Sequence, residues 1–195
     1  MNVASLPSLS IIVAAASLCA CTGMAPSVAP SVAPSMASKS SYSQESLPDA
    51  VKVPAGHVVA METRATGELT YECKDKANMP GQVEWTFVGP KAALADRAGK
   101  AVGKYYGPPA TWEANDGSKV SGAQVAVAPS GPGNIPFQLV KANPAMGSGA
   151  MMGTTYIQRV ALQGGAAPAT GCSVETRGQR TVVMYQGDYI FWKAA

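Results

Sequence analysis

The stretch GELTYEC, residues 67–73, alternates apolar and polar side chains with a period of two. Leu69, Tyr71 and Cys73 therefore share one face of an extended strand, while charged and hydroxyl side chains occupy the other face. Residues 82–87, QVEWTF, repeat the same alternation. The pattern predicts half-buried antiparallel strands, with one face on a core and one face in water.

Similar patterns recur along the chain, and no segment carries a long amphipathic helical stripe between capping residues. Further strands are expected near Val59 and Met61, near Cys172 and Val174, and at residues 136–141, 154–162, 181–185 and 189–193. Short strands separated by glycine- and proline-rich turns are typical of all-β folds. We predict an antiparallel β-sandwich or barrel of about eight to eleven strands.

The middle of the chain carries recurring turn signals. The tripeptide Asn-Asp-Gly at residues 115–117 is typical of a tight β-hairpin. GKAVG at residues 99–103 resembles GSKVSG at residues 117–122, which predicts two successive hairpins. Residues 90–100 offer an alternative, a short helix, because they contain four alanines and a leucine.

Composition favours an exported β protein and excludes one class of partner. Charged residues make up 14% of the 195 residues, whereas Gly (20) and Pro (15) are frequent. This combination describes a lightly charged chain with many turns. A net charge of +3 without a cluster of Lys or Arg gives no basis for nucleic-acid binding.

An apolar run at residues 9–20 leads into the sequence LCAC at residues 18–21. This ending resembles the lipobox of bacterial lipoprotein signals, in which the cysteine after a small residue is lipidated. The resemblance implies a signal peptide at residues 1–20 and a lipid anchor on Cys21, although the usual Lys or Arg is missing before it. It also implies the bacterial cell envelope, and Thr22 in place of Asp favours the outer membrane, facing the periplasm or the exterior. An ordinary cleaved signal peptide is the alternative.

Residues 21–46 are predicted to be a disordered linker. Repeated Val-Ala-Pro-Ser units and a serine-rich segment cannot build a core, and they favour extended polyproline II structure. Residues 47–195 then form a single β domain, which is long enough for one sizeable core.

Two of the four cysteines are assigned by the signal, because Cys19 is removed with it and Cys21 carries the lipid. Cys73 and Cys172 remain in an oxidising compartment, where a disulfide is expected. Both side chains lie on the apolar faces of predicted strands, which is the arrangement expected for a disulfide inside a two-layered β structure. Two unpaired buried thiols are the alternative.

An ordered set of longer motifs resembles one family. TGELTYECK, TWEANDGSKVSG, TTYIQRV and GGAAPATGC follow one another along the domain. The set resembles an uncharacterised family of secreted bacterial and fungal proteins with a domain of unknown function, over nearly all of residues 50–193. The resemblance implies a domain boundary and an exported location, and it transfers no catalytic residue. No GxGxxG follows a predicted strand, so no nucleotide cofactor is expected.

Signals for a catalytic or metal centre are sparse. His57 is the single histidine and no GxSxG motif is present, so a Ser-His-Asp hydrolase is not expected. A lone histidine without CxxC or HExxH also gives no classical zinc site. Met146, Met151 and Met152 lie in one glycine-rich loop and could bind copper(I), but we expect them to pack on the domain surface. The prediction is therefore no metal.

Trp112, Glu113 and Asp116 form a candidate carbohydrate site. An indole ring can stack on a sugar, and two carboxylates held across a cleft can catalyse glycoside hydrolysis. Sugar binding without chemistry fits better, because Glu113 and Asp116 are also explained as a strand residue and a hairpin residue.

Tyr156, Gln158 and Arg159 are further candidates for ligand binding. Gln158 interrupts an apolar row that includes Tyr156 and Leu162. A buried amide must be hydrogen-bonded, so Gln158 is either a structural bridge, which we favour, or the floor of a pocket. Arg159 projects from the opposite face, where it can pair with a surface carboxylate or bind an anionic ligand.

These features predict a lipid-anchored envelope protein that binds a protein, cell-wall or small-molecule ligand without catalysis. One alternative is inhibition of lysozyme, because small disulfide-linked β-barrel lipoproteins with that activity share a YxC strand and a terminal strand similar to YIFWK, residues 189–193. A carbohydrate-active hydrolase is the second alternative.

Overall fold

The computed structural model describes residues 42–195, which form a closed antiparallel β-barrel. Each strand pairs with its neighbours in sequence, and the last strand closes on the first. The eight strands are β1 (His57–Asp75), β2 (Val83–Ala95), β3 (Ala101–Tyr106), β4 (Thr111–Ala114), β5 (Lys119–Ala128), β6 (Phe137–Ala142), β7 (Thr154–Gly164) and β8 (Arg180–Ala194). The same part of the chain has two single-turn 3₁₀ helices, Asp49–Val51 and Val174–Thr176. Neither has the length or apolar character of a membrane-spanning helix.

The all-β prediction is confirmed, and closure of the sheet makes the fold a barrel. The strands predicted at residues 136–141 and 154–162 correspond to β6 and β7. The segments predicted at residues 181–185 and 189–193 are one strand, β8. Gly187 lies between them, but the chain does not turn there. The glycine instead leaves room for Leu162, because a Cβ at this position would lie 2.6 Å from a methyl carbon of that side chain.

The first strand is likewise longer than predicted. The separate strands expected near Val59 and at residues 67–73 are both parts of β1, which spans 19 residues. Two strands pair along it, β2 on one side and β8 on the other. The two predicted strands therefore join without a turn, and pairing with β2 and β8 keeps the whole segment extended.

The hairpin at residues 115–117 is confirmed, and it joins β4 to β5. A second hairpin turn lies between β2 and β3, as predicted from the repeated glycine motif. The alternative helix at residues 90–100 is wrong, because residues 91–95 pair with β3. The cross-strand hydrogen bonds prevail over the helix propensity of the alanines.

The strand predicted around Cys172 and Val174 is wrong. Cys172 lies in a loop, and Val174–Thr176 forms a 3₁₀ turn. The Thr176 hydroxyl accepts a hydrogen bond of 2.8 Å from the backbone N–H of Ser173, and this local bond competes with strand pairing. The disulfide itself is confirmed, since Cys73 is bonded to Cys172.

Antiparallel connectivity places the loops at two ends of the barrel. The loops that follow β1, β3, β5 and β7 share one end, which we call the disulfide end because it carries the Cys73–Cys172 bond. The loops that follow β2, β4 and β6 share the other end, which we call the methionine end. Met151 from the last of these loops is 1% exposed and packs into the barrel core. This loop therefore closes the methionine end.

Aromatic side chains fill the barrel interior. Tyr105 stacks on Trp112 with ring centroids 4.7 Å apart, and Tyr189 contacts both rings. Trp112 is fully buried. Large rings suit an eight-stranded barrel, because its interior is just wide enough to be filled by side chains.

A second apolar cluster lies outside the barrel, under residues 42–53, which we call the strap. Val51 and Val53 of the strap are buried against side chains from β5 to β8 that face outward: Ala128, Leu139, Val160, Ile190 and Trp192. Tyr42 and Leu47 also pack on this cluster. The sequence assigned residues 42–46 to the linker, but Tyr42 and Gln44 bond to the barrel and to the strap itself. The predicted signal peptide, the Cys21 anchor and the rest of the linker lie outside the described residues.

The apolar row predicted on β7 is divided by a bulge. The register of β7 against β8 shifts between Val160 and Gln163, and Ala161 has a φ of 50°. Val160 consequently faces the strap, whereas Leu162 packs inside the barrel. The inserted residue reverses the face on which the following side chains lie.

Candidate ligand-binding site

A cavity of about 370 Å³ lies inside the barrel at the disulfide end. Its walls are mostly apolar and aromatic: Leu69, Tyr71, Phe87, Tyr105, Ala110, Gly122, Ile135, Pro136 and Val140. Its polar lining consists of Gln124, Gln138 and Arg159, and we call it the Arg159 cavity. Small-molecule pockets in proteins have volumes of roughly 300–1,000 Å³ and the same predominance of apolar walls.

Strand alternation places Arg159 inside the barrel. Ile157, two residues earlier on β7, is fully buried in the barrel core, so Arg159 faces the same interior. Its partners in register are Gln138 on β6 and Tyr189 on β8. The sequence predicted that Arg159 and Gln158 face opposite sides, but both sides are covered, because the strap buries the outer face.

The Arg159 guanidinium has one hydrogen-bond acceptor in the described part of the chain. Nε and Nη2 donate to the carbonyl oxygen of Pro136, at 3.3 and 3.0 Å. A guanidinium carries five N–H donors, so three have no acceptor among residues 42–195. No carboxylate in this part of the chain pairs with Arg159. Its positive charge is therefore unbalanced by the described protein.

Four tyrosines surround this charge without neutralising it. Burial raises the pKa of Tyr71, Tyr105, Tyr185 and Tyr189, and it outweighs the opposing effect of Arg159 on each of them. The hydroxyl groups therefore remain protonated and neutral at neutral pH. The hydroxyl oxygens of Tyr185 and Tyr189 lie 3.4 Å apart, in hydrogen-bonding distance.

The rim of the cavity combines an amide pair with an exposed ring. Gln138 Nε2 donates a hydrogen bond of 2.7 Å to Gln124 Oε1. Phe87 is 49% exposed and meets Tyr71 edge-on, with ring centroids 5.7 Å apart. The exposure of Phe87 and Gln124 shows that solvent reaches the cavity.

The structure places the three predicted carbohydrate-site residues in different environments. Trp112 is buried inside the barrel against Tyr105, so its ring has no surface on which a sugar can stack. Glu113 lies on the outer surface, where its carboxylate is 3.3 Å from Lys104 Nζ and 3.2 Å from Lys119 Nζ. These residues do not form one pocket.

The two carboxylates have structural partners. A hydrogen bond from the Tyr106 hydroxyl lowers the pKa of Glu113, and one from the Ser118 hydroxyl lowers the pKa of Asp116. Asp116 also accepts the backbone N–H of Ala150 at 2.7 Å, which joins two loops of the methionine end. Acid–base pairs in glycosidases have one raised pKa and one ordinary or lowered pKa, and these two carboxylates do not differ in that way.

Gln158 is a structural bridge between the barrel and the strap. Its Nε2 donates to the Val51 carbonyl oxygen at 2.7 Å and to Gln44 Oε1 at 2.9 Å. Its Oε1 accepts from Trp192 Nε1 at 2.9 Å and from the Tyr42 hydroxyl at 3.2 Å. The side chain is fully buried, and its amide oxygen and nitrogen are both hydrogen-bonded.

Tyr156 lies on the outer surface, away from the cavity. The His57 ring meets it edge-on with centroids 5.0 Å apart, and Lys141 Nζ lies 4.2 Å from the centroid of the Tyr156 ring. Of the six predicted ligand-binding residues, the structure therefore places Arg159 alone in the lining of the cavity.

The methionine loop does not present three thioethers together. Met151 is buried, whereas Met146 is 59% exposed and Met152 is 43% exposed. Among the described residues, no group of three or more His, Cys, Asp and Glu side chains is placed to hold a metal ion.

Sequence reasoning missed most of the cavity lining. Gln124 lies on β5 and Gln138 on the neighbouring strand β6, and both side chains face the cavity. Gln124 lies two residues after Gly122 and Gln138 two residues before Val140, and this spacing from inward-facing residues was the available signal. Ile135 comes from a loop, which no strand pattern could place, and Pro136 lies one residue before β6, although the predicted strand began with it.

Fold and site together define a small eight-stranded β-barrel with a ligand-sized cavity at one end. The chain belongs to the family described as "Protein of unknown function (DUF3455)", whose model matches residues 54–193. This match confirms the resemblance to an uncharacterised family, and it covers all of the cavity lining. Comparisons with curated proteins and with solved structures give no match.

Proposed function

We propose that this is an exported, lipid-anchored envelope protein whose barrel binds a small molecule, without catalysis, in the Arg159 cavity. The observation that carries the proposal is the 370 Å³ cavity, with apolar walls and three polar side chains. Small eight-stranded barrels are suited to holding one small ligand at an end of the interior. Met151 fills the methionine end, so the disulfide end is the way in.

The lining favours binding over chemistry. It offers tyrosine and glutamine side chains and one arginine, and no Cys, His, Asp, Glu, Ser or Lys belongs to the described lining. The groups that usually act as nucleophiles or general bases are drawn from those residue types. The hydroxyl groups of Tyr71 and Tyr105 have raised pKa values, which makes them poor bases at neutral pH.

Export rests on two features of the chain. LCAC at residues 18–21 resembles a lipobox with Cys21 as the lipidated residue. The bond between Cys73 and Cys172 supports an oxidising compartment, since such bonds rarely persist in the cytosol.

Binding can be tested with 1-naphthamide, a neutral bicyclic probe that fits the cavity volume. We expect isothermal titration calorimetry on the full-length protein, corrected for empty detergent micelles, to show saturable binding. Gln124→Trp places an indole at the rim and should abolish it. Val125→Trp is the matched control, because Val125 is 56% exposed and does not line the cavity. Equal binding by both variants would contradict the proposed site.

The anchor is tested separately by metabolic labelling with a palmitate analogue in the native bacterium. The wild-type chain should carry the label and fractionate with membranes, whereas Cys21→Ser should lose it. Cys19→Ser should keep the label, because Cys19 lies before the predicted cleavage site. Label retained on Cys21→Ser would overturn the assignment of the anchor.

A further inference from the structure

We propose that the ligand is a monocarboxylate with an apolar, ring-sized body, and that its carboxylate pairs with Arg159. This inference rests on the proposed function, because it concerns the same cavity. It starts from a charge that the described protein leaves unbalanced. Arg159 is half-buried, and a cation that is partly removed from water is stabilised by an opposite charge or by further hydrogen-bond acceptors.

The free donors of Arg159 suit a planar anion. Nε and one Nη2 hydrogen point to Pro136, which orients the guanidinium and leaves three N–H groups, two of them on Nη1. Guanidinium groups bind carboxylates through two parallel hydrogen bonds, which gives direction as well as affinity. A neutral ligand would leave these donors without a charged acceptor.

The charge of the lining favours a single negative charge. Arg159 is the one cationic side chain among the described lining residues. The surrounding tyrosines are neutral, because burial raises the pKa of each. A dianion such as a phosphate monoester would enter with one charge unpaired inside mostly apolar walls.

The walls define the body of the ligand. Leu69, Ile135 and Val140 are aliphatic and at most 4% exposed, and Tyr71 and Phe87 add ring surfaces towards the rim. Burial of the ligand's apolar surface against these walls contributes to affinity but does not orient the ligand. The amide pair of Gln124 and Gln138 lies at the rim, where a carbonyl or hydroxyl group of the ligand can bond to it.

The test compares three probes of the same ring size on the full-length protein: 1-naphthoate, 1-naphthamide and 1-naphthyl phosphate. We expect 1-naphthoate to bind about ten- to a hundredfold more tightly than 1-naphthamide, as a hydrogen bond to a charged group implies. Arg159→Met should bind 1-naphthoate and 1-naphthamide with equal affinity, and circular dichroism with urea unfolding should show that the variant is folded. Arg180→Met is the matched control, because Arg180 lies at the disulfide end and pairs with Glu72 outside the cavity.

The outcomes separate this inference from the proposed function. Equal affinity for 1-naphthoate and 1-naphthamide would overturn the carboxylate assignment and leave the binding function standing. Tighter binding of 1-naphthyl phosphate would overturn the choice of a monoanion. No binding of any probe would contradict the proposed function itself. If Arg159→Met does not bind 1-naphthamide, Arg159→Gln keeps a donor for Pro136 without the charge and must lose the preference as well.

Discussion

At the residue scale, two neighbours on β7 show how strand alternation gives adjacent polar residues different surroundings. Gln158 faces the strap and has four hydrogen-bond partners. Arg159 faces the interior and, within residues 42–195, has one carbonyl acceptor. Because side chains alternate across a strand, these adjacent polar residues lie on opposite faces of the sheet and have different hydrogen-bond partners. The first holds the fold together, and the second is available to a ligand.

Replacing Gln158 by methionine should destabilise the protein by roughly 2–4 kcal/mol, because similar volume is kept while the buried Trp192 Nε1 and the Val51 carbonyl lose their partner. Urea unfolding gives the free energy directly. Gln163→Met is the control, since Gln163 is exposed on the same strand. An equal effect at both positions would show that the bridge contributes nothing specific.

The Tyr42 hydroxyl predicts a loss of stability at alkaline pH. Burial, followed by the charges of Glu62 and Asp188, raises the pKa of Tyr42 to about 12. An unfolded tyrosine has a pKa of about 10, so its contribution is complete below pH 10 and is lost as pH rises towards 12. We expect Tyr42→Phe to lose less unfolding free energy between pH 10 and pH 12 than the wild type does. Parallel pH profiles for the two proteins would contradict this assignment.

At the scale of elements, β1 organises the barrel, because it is the longest described strand, with 19 residues, and its pairing with β8 closes the sheet. Gly67 lies near the middle of this strand, opposite Ala92 of β2. A Cβ there would lie 2.6 Å from the Ala92 Cβ and still closer to the Lys91 carbonyl oxygen. The absent side chain therefore allows β2 to approach β1 closely enough for the barrel to close.

Gly67→Ala should lower the unfolding free energy by about 1–3 kcal/mol, since backbone atoms of β2 must move to admit the methyl group. Thermal and urea unfolding measure this loss. Thr66→Ala is the control, because it places the same methyl group on the exposed outer face of the same strand. If Gly67→Ala leaves the unfolding free energy unchanged, the close approach of β2 to β1 does not contribute to stability.

At the scale of the whole molecule, the two ends of the barrel differ in structure. The methionine end is closed by a loop whose Met151 packs into the core. The disulfide end carries the cavity, and a covalent bond ties the loop of Cys172 to the end of β1. The strap buries an outer face that the barrel alone would leave apolar and exposed. The cavity therefore belongs to a scaffold that is restrained around it.

Replacing both Cys73 and Cys172 by alanine should reduce stability by up to about 4.7 kcal/mol, the chain-entropy value for a loop of about a hundred residues. The two cysteines are 99 residues apart in sequence. Urea unfolding of the variant, and of the wild type with dithiothreitol, should give the same shift. Residues 165–179 should also become the first site of limited proteolysis, and unchanged cleavage there would argue that other contacts hold the loop.

Strand patterns alone predicted the fold class and several strand positions, because a period of two is a local property of the chain. They did not predict the strap, since residues 42–46 are polar and serine-rich and gain their place only through Gln158 and the outer cluster. The helix alternative at residues 90–100 failed for a related reason: pairing with β3 outweighs local propensity. The candidate site was predicted at one position, Arg159.

The amino-acid sequence by itself determined the all-β class, the hairpin at residues 115–117 and the pairing of Cys73 with Cys172, because alternation, turn chemistry and cysteine arithmetic act over short ranges or by elimination. Only the tertiary structure decided that the sheet closes, that Trp112 is interior and that Arg159 lines a cavity. Closure depends on pairing between β1 and β8, at opposite ends of the domain, and no local pattern specifies which side of a strand becomes the inside.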